Sequence, residues 1–390
     1  MRMGTFKYER DLLKHFIRTD GWLPLCRRRR KKIRYKVAAK NLRDLRYFTF
    51  CAVGAIDVLM LDVHNILNPT DRGFETVVFF DKDQESVIET QTRIPGSVGF
   101  VGDFVKLVTS LDPEDDPIQD DVQRLIEGEG EGDFLASPEG ELDTAAVREQ
   151  KRDREQLRQF VDRFPFDVIN LDLEEYVFKP SERLPGKLLK ALRRVLIWQQ
   201  RPVRISAHNQ KLLDGFSLMF TTKIGPQNLP NDYLARLQNS LHNNLQRDND
   251  LNGMLQNRAG MVDVAALRQA NFELFFKLAI PKLLAQTLMS QDWYIDPDRG
   301  ITIYEFERLF EGGSYKMLHI VMDIKRHEPP RDQRLDGEHS PVAAEAYQNV
   351  IRRLFQEAEI VVLEDGLDRD ALTASLDQII QRGDKYREGS

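Results

Sequence analysis

Cysteine is nearly missing from this chain. Two among 390 residues, Cys26 and Cys51, exclude a disulfide scaffold and any cysteine-rich zinc module. The seven histidines are scattered (His64, His208, His242, His319, His327 and His339 among them) with no HxxxH or HxH pair, so no zinc site is expected. No apolar run reaches the roughly 18 residues that a membrane span needs. The opening residues MRMGTFKYERDLLKH lack the continuous apolar stretch of a secretory signal. Also missing are the GxSxG elbow, the Walker loop and the GxGxxG fingerprint, so hydrolase, NTPase and nicotinamide-dehydrogenase readings have no motif behind them. A soluble, cytoplasmic protein is the expectation, with 22 Phe and 10 Tyr as ample material for a core.

The net charge of -6 hides an uneven distribution. Residues 1–50 carry 16 Lys and Arg against 4 Asp and Glu, whereas residues 111–143 carry 13 carboxylates and one Arg. The basic block peaks at Arg27, Arg28, Arg29, Arg30, Lys31 and Lys32, with Arg34 close behind. Consecutive cations repel one another unless something neutralises them. Nucleic-acid phosphate would do so through counterion release, and Tyr8, Trp22, Tyr35 and Tyr47 could stack on bases or dock the segment on a core. An acidic face of a partner protein, or the chain's own acidic stretch acting as a latch, are the competing neutralisers.

From residue 44 the pattern alternates between strand and helix. Strands are expected at Arg46–Ala52, Thr76–Phe80, Val98–Val101, Phe166–Asp172 and Gly215–Thr222, with helices at Gln84–Arg93, Thr144–Arg163 and Gly186–Gln200 between them. Residues 230–290 read as helical, including a core helix interrupted by Pro281. Ile301–Phe306 and Met317–Ile324 flank Glu311-Gly312-Gly313-Ser314, a hairpin signal. The last sixty residues read as two solvated helices, about 342–358 and 367–382. The fold expected is α/β, a Rossmann-like and mostly parallel sheet with a terminal antiparallel hairpin, helices on both faces and helical additions. Its parts would be a basic segment (1–43), an α/β domain (44–330) with an acidic insertion (111–143) and a helical insertion (230–290), and a helical extension (331–390).

Ligands of such sheets bind beyond the carboxyl ends of the strands. The polar groups there are Gly54 and Asp57, Asp81 with Asp83, Asp103 with Phe104, and Asp172 with Glu174 and Glu175. An acid at the second strand end can accept from a ribose diol. An Asp beside a Phe after the third can accept from an adenine amino group while the ring stacks on the base. Each Asp could equally be a helix cap, Asn170 could simply satisfy backbone groups within its strand, and Cys51 suits a small buried core position.

The stretches FTFCAVGAID (48–57), VVFFDKD (77–83), VGDF (101–104) and INLDLEEY (169–176) together resemble the class I S-adenosylmethionine-dependent methyltransferases. The layout is closest to the three-Cys-motif partner proteins, methyltransferase-like chains of bacterial defence systems. The resemblance implies S-adenosylmethionine as cofactor, with Gly54, Asp81, Asp103 and Phe104 holding it and Asp172 and Tyr176 at the reaction centre. It also implies action on or with nucleic acid, possible protein partners, and a bacterial defence or mobile-element setting. A second reading is a catalytically inert Rossmann-like module, a scaffold or sensor, which the single glycine of Ala52-Val53-Gly54-Ala55 favours. A third, a metal-dependent nuclease using Asp81, Asp83, Asp172 and Glu174, rests only on the number of carboxylates.

Overall fold

The computed structural model describes residues 11–36, 43–52, 54–109, 144–172, 177, 186–206, 209–225, 231–260, 263–296, 300–310, 313–326, 352, 359–362 and 366–389. Four short strands, β1 (Tyr47–Thr49), β2 (Val77–Asp81), β3 (Val98–Val101) and β4 (Val168–Asp172), alternate with helices. Val, Ile and Phe dominate them, as strands covered on both faces require. The helices between them include α3 (Ile56–Val63), α4 (Gln84–Arg93), α5 (Phe104–Thr109) and α6 (Thr144–Val161). α4 matches its expected span, and Asp83 caps it by accepting from the Ser86 N–H at 2.8 Å.

After α7 (Lys187–Trp198) come β7 (Gly215–Lys223) and the long hairpin β9 (Ile301–Phe310) and β10 (Gly313–Arg326). The sheet runs β3-β2-β1-β4-β7-β10-β9, all parallel except β10, which is antiparallel to both of its neighbours. This is the α/β, mostly parallel, Rossmann-like sheet with a terminal hairpin that the sequence predicts. Four strands are additions to that expectation. β8 (Trp293–Ile295) pairs with the lower part of β10, β11 (Glu359–Val361) extends the edge parallel to β9, and a separate hairpin joins β5 (Val203–Ser206) to β6 (Asn209–Lys211).

Side-chain alternation divides the interior into two cores. Phe48, Val78, Phe80, Ile169 and Leu171 point to one face, where α5, α6, α7 and α11 (Phe272–Met289) cover them. α11 runs through Pro281 as one element with most of its residues buried. Tyr47, Val77, Phe79 and Val168 point to the other face. That face is covered by α1 (Leu12–Ile17), a π-turn (Arg18–Trp22), α2 (Leu23–Lys36), α3, α4 and α12 (Arg369–Glu388).

Two expectations change here. The basic amino-terminal segment is a layer of the fold, because Ile17, Trp22, Leu25, Cys26 and Ile33 are buried in the second core. At Gly21 a Cβ would stand 2.9 Å from the Tyr304 ring, so only glycine lets this layer come so close. The carboxyl-terminal helix is docked as well as solvated, with Leu372, Leu376 and Ile379 buried. The helix expected at 342–358 and the acidic insertion 111–143 lie outside the described residues, apart from Arg352, which is helical.

Candidate functional site at the strand-order reversal

From β1 the chain builds outward to β2 and β3, then returns to place β4 on the other side of β1. The connections therefore diverge between β1 and β4 and leave a crevice at the carboxyl ends, the usual ligand position in open α/β sheets. A cavity of about 350 Å³ lies there. Gly54, Asp81, Asp103, Phe104 and Asp172 all line it, so five residues singled out on four separate stretches of sequence meet at one place. Tyr176, Glu174 and Glu175 lie outside the described residues.

The tips of β2 and β3 are half-exposed. Asp81 Oδ1 accepts from the Asp83 N–H at 2.9 Å, while its second oxygen has no hydrogen-bond donor among the described residues. Asp103 is a cap, accepting from the Lys106 N–H at 3.0 Å, and its other oxygen lies 4.0 Å from Lys82 Nζ. Gly102 between them has φ +132 and nothing within 4 Å of where a Cβ would stand, so the wall here is bare backbone. Phe104 lines the cavity but is 4% exposed, its ring edge-on to Phe50 and Phe80. It is a core residue with an edge on the cavity, which leaves no open face for the base stacking expected of it.

The tips of β1 and β4 are closed. Asp172 is buried against Lys14, Nζ to Oδ2 2.7 Å. Burial alone would raise its carboxyl, but the Lys14 ammonium outweighs that, with His319 and Arg18 assisting, and holds it below the usual carboxylate range. His319 is pushed down to about 4 by burial, with Lys14 and Arg18 adding to the shift and Asp172 opposing it. The imidazole is therefore neutral. Its Nε2 accepts from Trp22 Nε1, so its Nδ1 carries the proton toward Thr221 Oγ1.

Asp57, buried in the first turn of α3, accepts from Tyr47 OH at 2.9 Å and Thr49 Oγ1 at 2.7 Å. Asn170 Nδ2 donates to the same two hydroxyls, each at 3.2 Å. The Asn170 amide thus serves side chains, where backbone partners were expected. Ala55, before α3, adopts φ +46 without being glycine, a strained turn at the cavity wall. Cys51 also lines the cavity, and burial together with Asp57 and Asp81 pushes its thiol well up, which leaves it protonated and unreactive.

Lys14, Arg18 and Trp22 form the wall that sequence reasoning missed. They recur every four residues, and the wider π-turn offsets the drift that this spacing accumulates in an α-helix. The spacing itself was legible; the docking partners, more than 150 residues away, were not.

The basic block is only partly on the surface. Arg29 and Arg30 are each 6% exposed. Arg29 pairs with Asp323 of β10, which Lys32 also reaches at 2.9 Å, and Arg30 pairs with Asp44 at 3.3 Å. These two arginines are withdrawn from any nucleic acid, and the carboxylates that neutralise them, Asp323 and Asp44, are not marked out by any local pattern. Arg27 and Lys31 are exposed, Lys32 is exposed beyond its ion pair, and Arg28 is half-buried. The Arg34 side chain lies outside the described residues.

Comparison with protein-family models gives no match, and comparison with the sequences of curated proteins gives no significant one. Among the described residues, no group of three or more His, Cys, Asp or Glu is placed to hold a metal ion, and no helix is long and apolar enough to cross a membrane.

Proposed function

We propose that this chain is a methyltransferase-like protein that takes S-adenosylmethionine in the crevice between β1 and β4 and acts on or with nucleic acid. The observation that carries the reading is the convergence of Gly54, Asp81, Asp103 and Asp172 on one cavity at the strand-order reversal. The sheet order, with β10 reversed between β7 and β9, is the one the methyltransferase resemblance implies. The free oxygen of Asp81 suits a ribose hydroxyl, Asp103 a base amino group, and bare Gly102 a close-lying nucleoside.

S-adenosylmethionine supplies an electrophilic methyl group, and its transfer in line asks the protein mainly for alignment. Asp172, held ionised by Lys14, is suited to fixing charge and orientation at the end of β4; its lowered carboxyl makes it a weak proton acceptor. Among the described side chains of the basic block, Arg27, Arg28, Lys31 and Lys32 are left for phosphate contacts. The bacterial defence or mobile-element setting, and protein partners within it, come from the resemblance alone.

A second reading, an inert nucleoside-binding module, is favoured by the closed Lys14–Asp172 pair and by the single glycine in the β1–α3 turn. Thermal-shift measurements with S-adenosylmethionine and S-adenosylhomocysteine test the ligand directly. The parent Tm should rise by a few degrees at ligand about a hundredfold above Kd, and Asp81→Asn should abolish the rise. No shift in the parent at millimolar ligand removes the cofactor.

A further inference from the structure

A second cavity, of about 440 Å³, lies at the other end of the sheet, among the amino ends of β1, β2, β3 and β4. Val78, Val98 and Phe166 line it with apolar surface, and Arg46, Arg163 and Glu75 supply its charges. Among the described residues neither arginine has a carboxylate of its own. The buried Asp167 is already spent: it accepts from the Arg43 guanidinium at 2.5 and 2.6 Å and from the Arg46 backbone N–H at 2.9 Å. The half-buried Arg46 side chain donates to the Arg163 carbonyl and lies over the Phe166 ring, while Arg163 is exposed. Glu75, at the rim, stands 3.9 Å from Arg72. Burial pulls the Arg46 guanidinium down to about 10, with Asp167 opposing and Arg43 and Arg163 adding. The cavity therefore carries a surplus of positive charge that an anion would relieve.

The basic block arrives at this same end. Asp172, Thr221 and His319 lie side by side across β4, β7 and β10; Val168, Ser217 and Asp323 form a second row, nearer the amino ends of β4 and β7. The chain meets the first row at Trp22 and the second at Arg29, so α2 runs down the sheet, away from the crevice. Next along it, Arg30 donates to the Arg43 carbonyl at 3.1 Å, and Arg43 in turn holds Asp167 beside Arg46. Lys31 and Lys32, which follow and are exposed, thus border the end of the sheet that holds the cavity. A small free anion would use the cavity alone. Cations spaced beyond it suit a chain of phosphates.

We propose that this end of the sheet is a backbone-gripping face for a nucleic-acid strand, with Arg46 and Arg163 holding one phosphate at the cavity and Lys31 and Lys32 holding others. The assignment rests on the nucleic-acid part of the reading above and gives that contact a place. Phosphate contacts position a strand and carry no sequence information, so the grip is the same for any sequence. It also lies opposite the crevice, so a strand held here leaves the acidic tips of β2 and β3 uncovered.

Fluorescence anisotropy of the full chain with a labelled single strand of about 20 nucleotides, across a salt series, tests the face. Arg163→Gln should weaken binding about three- to tenfold and flatten the slope of log K against log salt by about 0.7, one phosphate contact on a single strand. Its Tm should match the parent's, because the side chain is exposed, and Arg163→Lys should keep most of the affinity. Arg46→Gln should flatten the slope by a similar step; if that variant fails to fold, Arg163→Gln decides alone. Lys190→Gln, an exposed cation on α7, removes the same charge elsewhere and should change little. Equal effects of Lys190→Gln and Arg163→Gln overturn the site in favour of net charge. A strand that Lys31→Gln with Lys32→Gln releases and Arg163→Gln does not overturns the cavity but leaves the nucleic-acid reading standing. Displacement of the strand by micromolar AMP overturns the backbone assignment in favour of a free phosphomonoester. No strand binding by the parent at low salt removes the face and the nucleic-acid reading together.

Discussion

The crevice has an open side and a shut side, built from the same residue type. Asp81 and Asp103 at the ends of β2 and β3 are half-exposed, and each spends one oxygen on the turn that follows its strand. Asp172 at the end of β4 is buried and ion-paired to a lysine 158 positions earlier. The contrast shows how one side chain acquires different work from its surroundings. An aspartate at the water's edge organises local backbone and keeps an oxygen to offer. One sealed beneath an amino-terminal helix becomes half of a long-range clasp and a fixed charge.

The strongest way to break this contrast is to remove the lysine. Lys14→Met should cost about 3–5 kcal/mol in urea denaturation, because it strands a buried carboxylate. Adding Asp172→Leu should return more than half of the loss. A cost below about 1 kcal/mol would mean that the closed side is in fact wet.

Acid should open the same side next. His319 is depressed to about 4 by burial, so between its ordinary value of 6.5 and about 4 the unfolded chain binds a proton that the folded chain does not. His15, also lowered to about 4, first by burial and then by Arg18 and His64, acts in the same sense. Stability should therefore be complete above pH 6.5 and fall as the pH drops toward 4, by about 3 kcal/mol from His319 alone. Asp172, whose carboxyl is lowered, keeps its contribution above its unfolded value and loses it only in stronger acid. Denaturation of His319→Gln across this range should show a flatter profile; an unchanged slope would place the titration elsewhere.

The open side should respond least. Asp103→Ala removes a helix cap and should cost about 1 kcal/mol, and Asp81→Asn should change stability by less than about 0.5 kcal/mol. If Asp81→Asn instead destabilised as much as Lys14→Met, the two sides would not differ in kind.

The parallel half of the sheet was legible because its signals are local. β2, β3 and β4 are short Val, Ile and Phe runs that end at an acid or glycine, and the turn chemistry of Asp83 announces α4 within a few residues. Their meeting at one cavity followed from strand order, which alternation with helices already implies. What stayed hidden is held by distance. α2 reads as a charged run because its buried arginines look like any other cations until Asp323, nearly 300 residues later, is brought beneath them. β11 is three residues long and becomes a strand only by resting on the edge of β9. Arg18 went unnoticed for a related reason: its place on the cavity wall is a property of the assembled fold and of no segment of chain.

The amino-terminal layer also sets an order of events during synthesis. Residues 12 to 32 leave the ribosome long before Asp172, His319 and Asp323, to which Lys14, Trp22 and Arg29 are joined. Until β10 has been translated, Trp22 lacks His319, and Arg29 and Lys32 lack Asp323, a state that invites capture by chaperones or polyanions. The crevice consequently gains its full roof last, since a chain terminated before residue 319 could still pair Lys14 with Asp172 but would lack the His319 and Asp323 that anchor Trp22 and Arg29.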